Sequence, residues 1–195
     1  MSQDLTNRVA ESEIVTFDLE ALWDGAEVAS FDIAPFLVEG LMLKEEPFRE
    51  AVKAHDWAQH EGQHVAVACS TDAIVPTWAF MLVATKLEEA GAASVAFGSE
   101  EELVRDYFTR ALARHDWSQY EGRPVVVKGC AGDVVPESAY LQATRCLQRA
   151  PARKLMFGEA CSAVPLWRKP QPENQKPEAA GTKAVSADLP TPGTS

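Results

Sequence analysis

The chain has 195 residues, 46% of them hydrophobic and 24% charged, with 29 acidic against 18 basic residues and a formal net charge of −11. That length suits one domain with a full core or two small ones, and the proportions are ordinary for a soluble globular protein. The acidic excess argues against nucleic acid as the main partner and against an anionic membrane surface, because both call for basic residues on the binding face.

No apolar run reaches the roughly 18 residues that a membrane-spanning helix needs. Residues 1–12 are polar and lack the apolar centre of a signal peptide, so they predict a flexible lead-in to a cytoplasmic protein. In that compartment the four cysteines stay reduced unless they bind metal or do chemistry.

IVTFDLEAL (14–22) alternates apolar Val15, Phe17 and Leu19 with polar neighbours, the period of a half-buried strand. Asp24-Gly25 suits a tight hairpin turn. EVASFDI reads as the return strand, and FLVEGLML (36–43) as a third, more buried one. Together they predict an N-terminal antiparallel β meander. Pro47 then opens a helix, with Glu45 and Glu46 at its positive end.

That helix begins an internal repeat. FREAVKAHDWAQHEGQHVAV (48–67) and FTRALARHDWSQYEGRPVVV (108–127) align at an offset of 60, pairing Phe48 with Phe108, His55 with His115, Asp56 with Asp116 and Trp57 with Trp117. The same offset pairs Val75-Pro76 with Val135-Pro136 and Phe97-Gly98 with Phe157-Gly158. Two copies suggest a duplicated half-domain rather than a solenoid.

Each copy reads helix, strand, helix, strand: 46–57, 64–69, 76–90 and 94–98 in the first, 100–117, 124–129, 136–149 and 153–157 in the second. Pro76 fits a helix start and Gly91 a helix stop. Ser99 with Glu102 forms a capping box. Short apolar strands between helices predict an α/β fold: duplicated α-β-α-β halves making a mainly parallel sheet with helices on both faces. The single domain spans 13–168, with repeat halves at about 46–98 and 106–158. Residues 169–195 are too poor in large apolar groups to offset ordering entropy and predict a disordered tail.

Three cysteines share a phrase, an apolar run followed by cysteine and then Val-Pro: VAVACSTDAIVP, VVVKGCAGDVVP and LMFGEACSAVP, holding Cys69, Cys130 and Cys161. In a parallel α/β sheet, ligands gather at the carboxyl ends of strands, which is where these cysteines fall. Two phrases add an aspartate three residues on, Asp72 and Asp133. Three thiolates and a carboxylate suit zinc or an iron–sulfur cluster.

The cysteines lie 61 and 31 residues apart, so the fold must assemble any shared site. Two other readings stay open: a cysteine-nucleophile sulfur or acyl carrier enzyme, and a non-catalytic interaction module whose cysteines are packing. Cys146 lacks the phrase and reads as core. Duplication makes the His-Asp-Trp triplets loop clamps rather than acid–base catalysts. His60 and His64 read as exposed loop residues. No GxGxxG, GxxxxGK[ST] or GxSxG is present.

The stretches VTFDLE, FREAVKAHDW, CSTDAIVPTWAFMLVATKLE, VVVKGC and FGEACSAVPLW resemble the uncharacterised bacterial family DUF2480, a domain of unknown function, over about residues 6–168. The resemblance brings no established activity. It implies an accessory role beside iron–sulfur assembly proteins, and the phrases at Cys69, Cys130 and Cys161 match the family's corresponding segments.

Overall fold

A computed structural model of the chain describes residues 14–129, 134–159 and 162–170. In chain order the elements are β1 (Val15–Phe17), β2 (Val28–Asp32), α1 (Glu45–Ala54), β3 (His64–Ala68), α2 (Thr77–Glu89), β4 (Ser94–Phe97), α3 (Glu100–Arg114), β5 (Pro124–Val127), α4 (Glu137–Arg149), β6 (Lys154–Phe157) and β7 (Val164–Arg168). The β-branched valines of β3 and β5 fit a pleated, fully buried surface, and both strands lie in sheet interiors.

The helices begin and end where local chemistry dictates. Glu45 and Glu46 occupy the first turn of α1, and Pro76 and Pro136 stand immediately before α2 and α4. Ser99 and Glu102 close a reciprocal capping box at the start of α3. Gly91, just beyond α2, adopts a φ of +82°, which suits the left-handed residue that ends many helices.

Strand pairing departs from the expected meander and from a single sheet. There are two sheets, ordered β2-β3-β4 and β1-β5-β6-β7. The first is wholly parallel. In the second, β1, β5 and β6 are parallel and β7 runs antiparallel on β6. β1 and β2, expected to pair with each other, belong to different sheets. Asp24-Gly25 does turn the chain, with Asp24 Oδ1 accepting from the Ala26 amide and Gly25 at a φ of +82°. The turn hands the chain from one sheet to the other instead of closing a hairpin. The expected third strand at 36–43 is a 3-10 turn, Ala34–Phe36, followed by two isolated bridges, Val38 to Met42 and Met42 to Ile74.

Side chains alternate across a strand. Phe31, Val65 and Val67 therefore share one face of the first sheet and pack with Phe48, Val52 and Val83 of α1 and α2. The opposite face carries His64 and Ala66, both buried, and α3 lies over it. Phe108 and Leu112 of the same helix pack into the other core, with Phe17, Val125, Val127 and Leu155 of the second sheet. α3 thus sits between the two sheets. Trp23, in the segment joining β1 to β2, stands at this junction, 4.6 Å from the Tyr107 ring and 6.1 Å from Phe108.

Among the described residues, no helix is long and apolar enough to cross a membrane. Residues 1–13 and 171–195 lie outside the description, so the expected lead-in and most of the expected tail fall there.

Candidate functional site

The two His-Asp-Trp triplets cap their helices alike. Trp57 Nε1 donates to Val52 O at 2.7 Å, and Trp117 Nε1 to Leu112 O at 3.0 Å. Asp56 and Asp116 each accept from the amide two residues on. Phe31 packs against the His55 and Trp57 rings, and Phe17 against His115 and Trp117. Burial holds the imidazoles of His55 and His115 below their ordinary 6.5. Each triplet closes a helix onto a strand.

At the carboxyl end of the first sheet, Cys69 follows β3 directly. It is a half-buried free thiol whose Sγ lies 3.3 Å from Thr71 Oγ1. Its neighbour Ser70 donates to Asp32 twice, from the amide to Oδ1 at 2.9 Å and from Oγ to Oδ2 at 2.6 Å. Burial pushes the Asp32 carboxyl up, but these bonds and one from the Ala34 amide outweigh it, leaving the group below its ordinary 3.8. Asp32, Ser70, Glu100 and Glu101 line an open cleft of about 520 Å³ there, an acidic mouth that suits a cation better than an anion. Asp72 is exposed.

The carboxyl end of the second sheet has a different partner for its aspartate. Lys128 Nζ donates to Asp18 Oδ2 at 2.8 Å, and that hydrogen bond and charge raise the Lys128 ammonium above its ordinary 10.5. Gly129 follows, and here the backbone is crowded. A Cβ at this position would stand 3.1 Å from Gly158 Cα and 3.1 Å from the Phe157 ring. Cys130, Asp133 and Cys161 lie outside the described residues. Cys69 belongs to the first sheet, whereas the strands leading to Cys130 and Cys161 are neighbours in the second. Among the described residues, no group of three or more His, Cys, Asp or Glu side chains is arranged to hold a metal ion. Cys146, expected in the core, is a half-buried free thiol.

His60 and His64 correct the expectation of exposed loop residues, since both are buried. His64 is the first residue of β3 and is 1% exposed. Its Nε2 is 2.9 Å from Asp24 Oδ1, and its Nδ1 is 2.7 Å from Ser94 Oγ. A carboxylate only accepts, so Nε2 carries the proton and Nδ1 is free to accept from the serine. Trp23 and Tyr107 press on the ring at 4.9 and 5.0 Å. Burial raises the Asp24 carboxyl, yet the hydrogen bonds from His64 and Ala26 outweigh it and hold the group below 3.8. Burial, followed by the Asp24 charge, raises the Tyr107 phenol.

A cavity of about 190 Å³ opens beside this group and is also lined by Arg110 and Arg114. Arg110 Nη2 stands 3.0 Å from Asp106 Oδ2, yet the pair is not aligned as a hydrogen bond, so this buried nitrogen has no acceptor. The order serine, imidazole, carboxylate is that of a proton relay. The three residues lie 40 and 30 positions apart, and no motif links them.

No curated protein and no solved structure matches the chain. A family model described as "Protein of unknown function (DUF2480)" matches residues 3–169. The match extends from before β1 to just beyond β7, so it takes in both sheets, the helix between them and all three cysteine phrases. The chain belongs to the DUF2480 family.

Proposed function

We propose that this chain is an accessory protein that binds a metal ion or an iron–sulfur cluster through thiolates at the carboxyl end of its second sheet. Cys130 and Cys161 supply the thiolate pair, and Asp133 the carboxylate of the same phrase. The observation that carries this reading is the contact of Gly129 with Gly158 at the ends of adjacent parallel strands. Cys130 is one residue beyond the first glycine and Cys161 three beyond the second, with about 3.8 Å between consecutive Cα atoms.

Cys69 follows a strand of the other sheet and, with Asp72, stands outside this set. Two thiolates and one carboxylate leave a coordination position open on zinc or on a cluster iron. An open position suits a protein that receives or hands on its metal, in keeping with iron–sulfur assembly proteins as partners. The reading includes internal duplication, supported by helices and strands that recur at an offset of 60: α2 with α4 and β4 with β6.

Anaerobic purification, elemental analysis and an absorption spectrum test this function. Bound metal, lost in Cys130→Ser and Cys161→Ser and retained in Cys69→Ser, is the expected result. Colourless, metal-free protein that cannot be reconstituted sinks the proposal.

The relay of Ser94, His64 and Asp24 favours a second reading, acyl transfer with Ser94 as nucleophile and His64 as base. It predicts labelling of Ser94 by a fluorophosphonate that is abolished in His64→Ala. An unlabelled wild-type protein excludes it.

A further inference from the structure

The two sheets end differently along their third strands. β6 is covered by β7, with Phe157 opposite Val164 and Lys154 opposite Arg168. β4, the strand at the same place in the first sheet, ends its sheet, and no described strand lies beyond it. Edge strands normally carry a charge, a proline or a bulge that discourages further pairing. β4 reads Ser-Val-Ala-Phe and has none of these. Phe97 is 74% exposed, whereas Phe157, on the covered edge, is 38% exposed.

Beside β4 runs an apolar groove of about 290 Å³ between the strand and α2, lined by Phe80, Met81, Ala84, Glu88, Val95 and Phe97. The Phe80 and Phe97 rings meet edge to face at 5.1 Å, and Met81 is 64% exposed.

We propose that the β4 edge binds an extended segment of another protein as an added antiparallel strand, apolar at its centre and basic at its end. Peptides commonly add to open sheet edges in this way, with backbone bonds supplying affinity and side-chain pockets selecting the sequence. The molecule carries one example of such an occupant. β7, Val-Pro-Leu-Trp-Arg followed by Lys169, lies antiparallel on the related strand.

Charge selects the basic end. Glu88 lines the groove, whereas α4 has the uncharged Gln148 at the corresponding place. Arg168 of β7 stands opposite Lys154, but at β4 the equivalent residue is the uncharged Ser94. The net charge of −11 also attracts a basic segment. A second copy of the chain fits less well, because pairing β4 with itself sets Glu88 of both copies along one seam.

The test uses the full chain and a fluorescent peptide with the sequence of residues 163–170, AVPLWRKP, followed by anisotropy. Saturable binding is expected. It should weaken about tenfold in Val95→Pro, which removes a backbone donor that faces the open edge, and in Met81→Ser or Glu88→Lys. Leu141→Ser, at the place on α4 that matches Met81, should leave it unchanged. Met81 and Glu88 are exposed helix positions, so their variants keep the fold if Val95→Pro does not. Absence of saturable binding, or binding indifferent to Met81→Ser and Glu88→Lys, overturns the proposal. Light scattering that shows a dimer broken by Met81→Ser assigns the edge to a second copy and overturns the occupant.

Discussion

Gly129 and Gly158 meet backbone to backbone at the carboxyl ends of β5 and β6, and a Cβ on Gly129 would come within 3.1 Å of Gly158 Cα. At the corresponding place in the first sheet the chain carries Cys69, with room for a side chain. Gly129→Ala pushes a methyl into backbone and into the Phe157 ring, neither of which yields freely. The expected cost is about 1–3 kcal/mol, read from urea unfolding. In the proposed metal-binding role, the same variant also holds less metal, because the strand ends that carry the cysteines are forced apart.

Trp57 and Trp117 each donate an indole N–H to a carbonyl in the preceding helix. Trp57→Phe and Trp117→Phe keep most of the apolar ring and lose that bond, so each should cost about 1 kcal/mol. The two clamps serve separate cores, so the double variant should lose the sum of the two effects to within about 0.5 kcal/mol. A clear excess in equilibrium unfolding would show that the two cores are coupled through α3.

His64→Ala empties a fully buried site and strands the partners of both ring nitrogens. A loss of about 2–4 kcal/mol is expected from the cavity and the broken bonds together. Asp24→Asn keeps the shape and removes the charge. It should cost less, about 1 kcal/mol, because the side chain is half exposed and solvent screens it. Thermal unfolding of the two variants orders the effects.

The imidazoles of His55 and His115 are held below 6.5 by burial in the folded chain, while in the unfolded chain they titrate near that value. As pH falls below 6.5 the unfolded state binds more protons, so both histidines stabilise the fold above 6.5 and lose that contribution on acidification. The melting temperature should fall between about pH 7.5 and about pH 5.5. His115→Phe, which retains the ring packing on Phe17, should flatten that dependence. Asp24 and Asp32, held below 3.8, add a second loss at lower pH, as their carboxylates are protonated.

The helices and the repeated strands were legible because their signals are local. Pro76, Pro136, Gly91 and the Ser99–Glu102 box act on the residues beside them, and the runs HVAVA and PVVV are apolar enough to require burial whatever covers them. The cysteine phrases likewise announced strand ends, and Cys69 follows β3 directly. β7 carries no such local signal, because Pro165 reads as the close of a cysteine phrase, although proline is tolerated in an edge strand.

By itself, the sequence determined the four helices and the strands that alternate with them, their recurrence at an offset of 60, the clamp chemistry of the two His-Asp-Trp triplets and the family. Only the tertiary structure decided which strands meet. Alternation in VTF and VASFD says which side chains share a face, but it does not choose a partner strand. β1 therefore joined β5 across more than a hundred residues of chain, and β2 joined β3. The same choice buried His64 between Asp24 and Ser94, set α3 between the sheets, and left the strand ends before Cys130 and Cys161 side by side, with Cys69 in the other sheet. These are long-range pairings, decided by which apolar faces close together, and no residue adjacent in sequence records them.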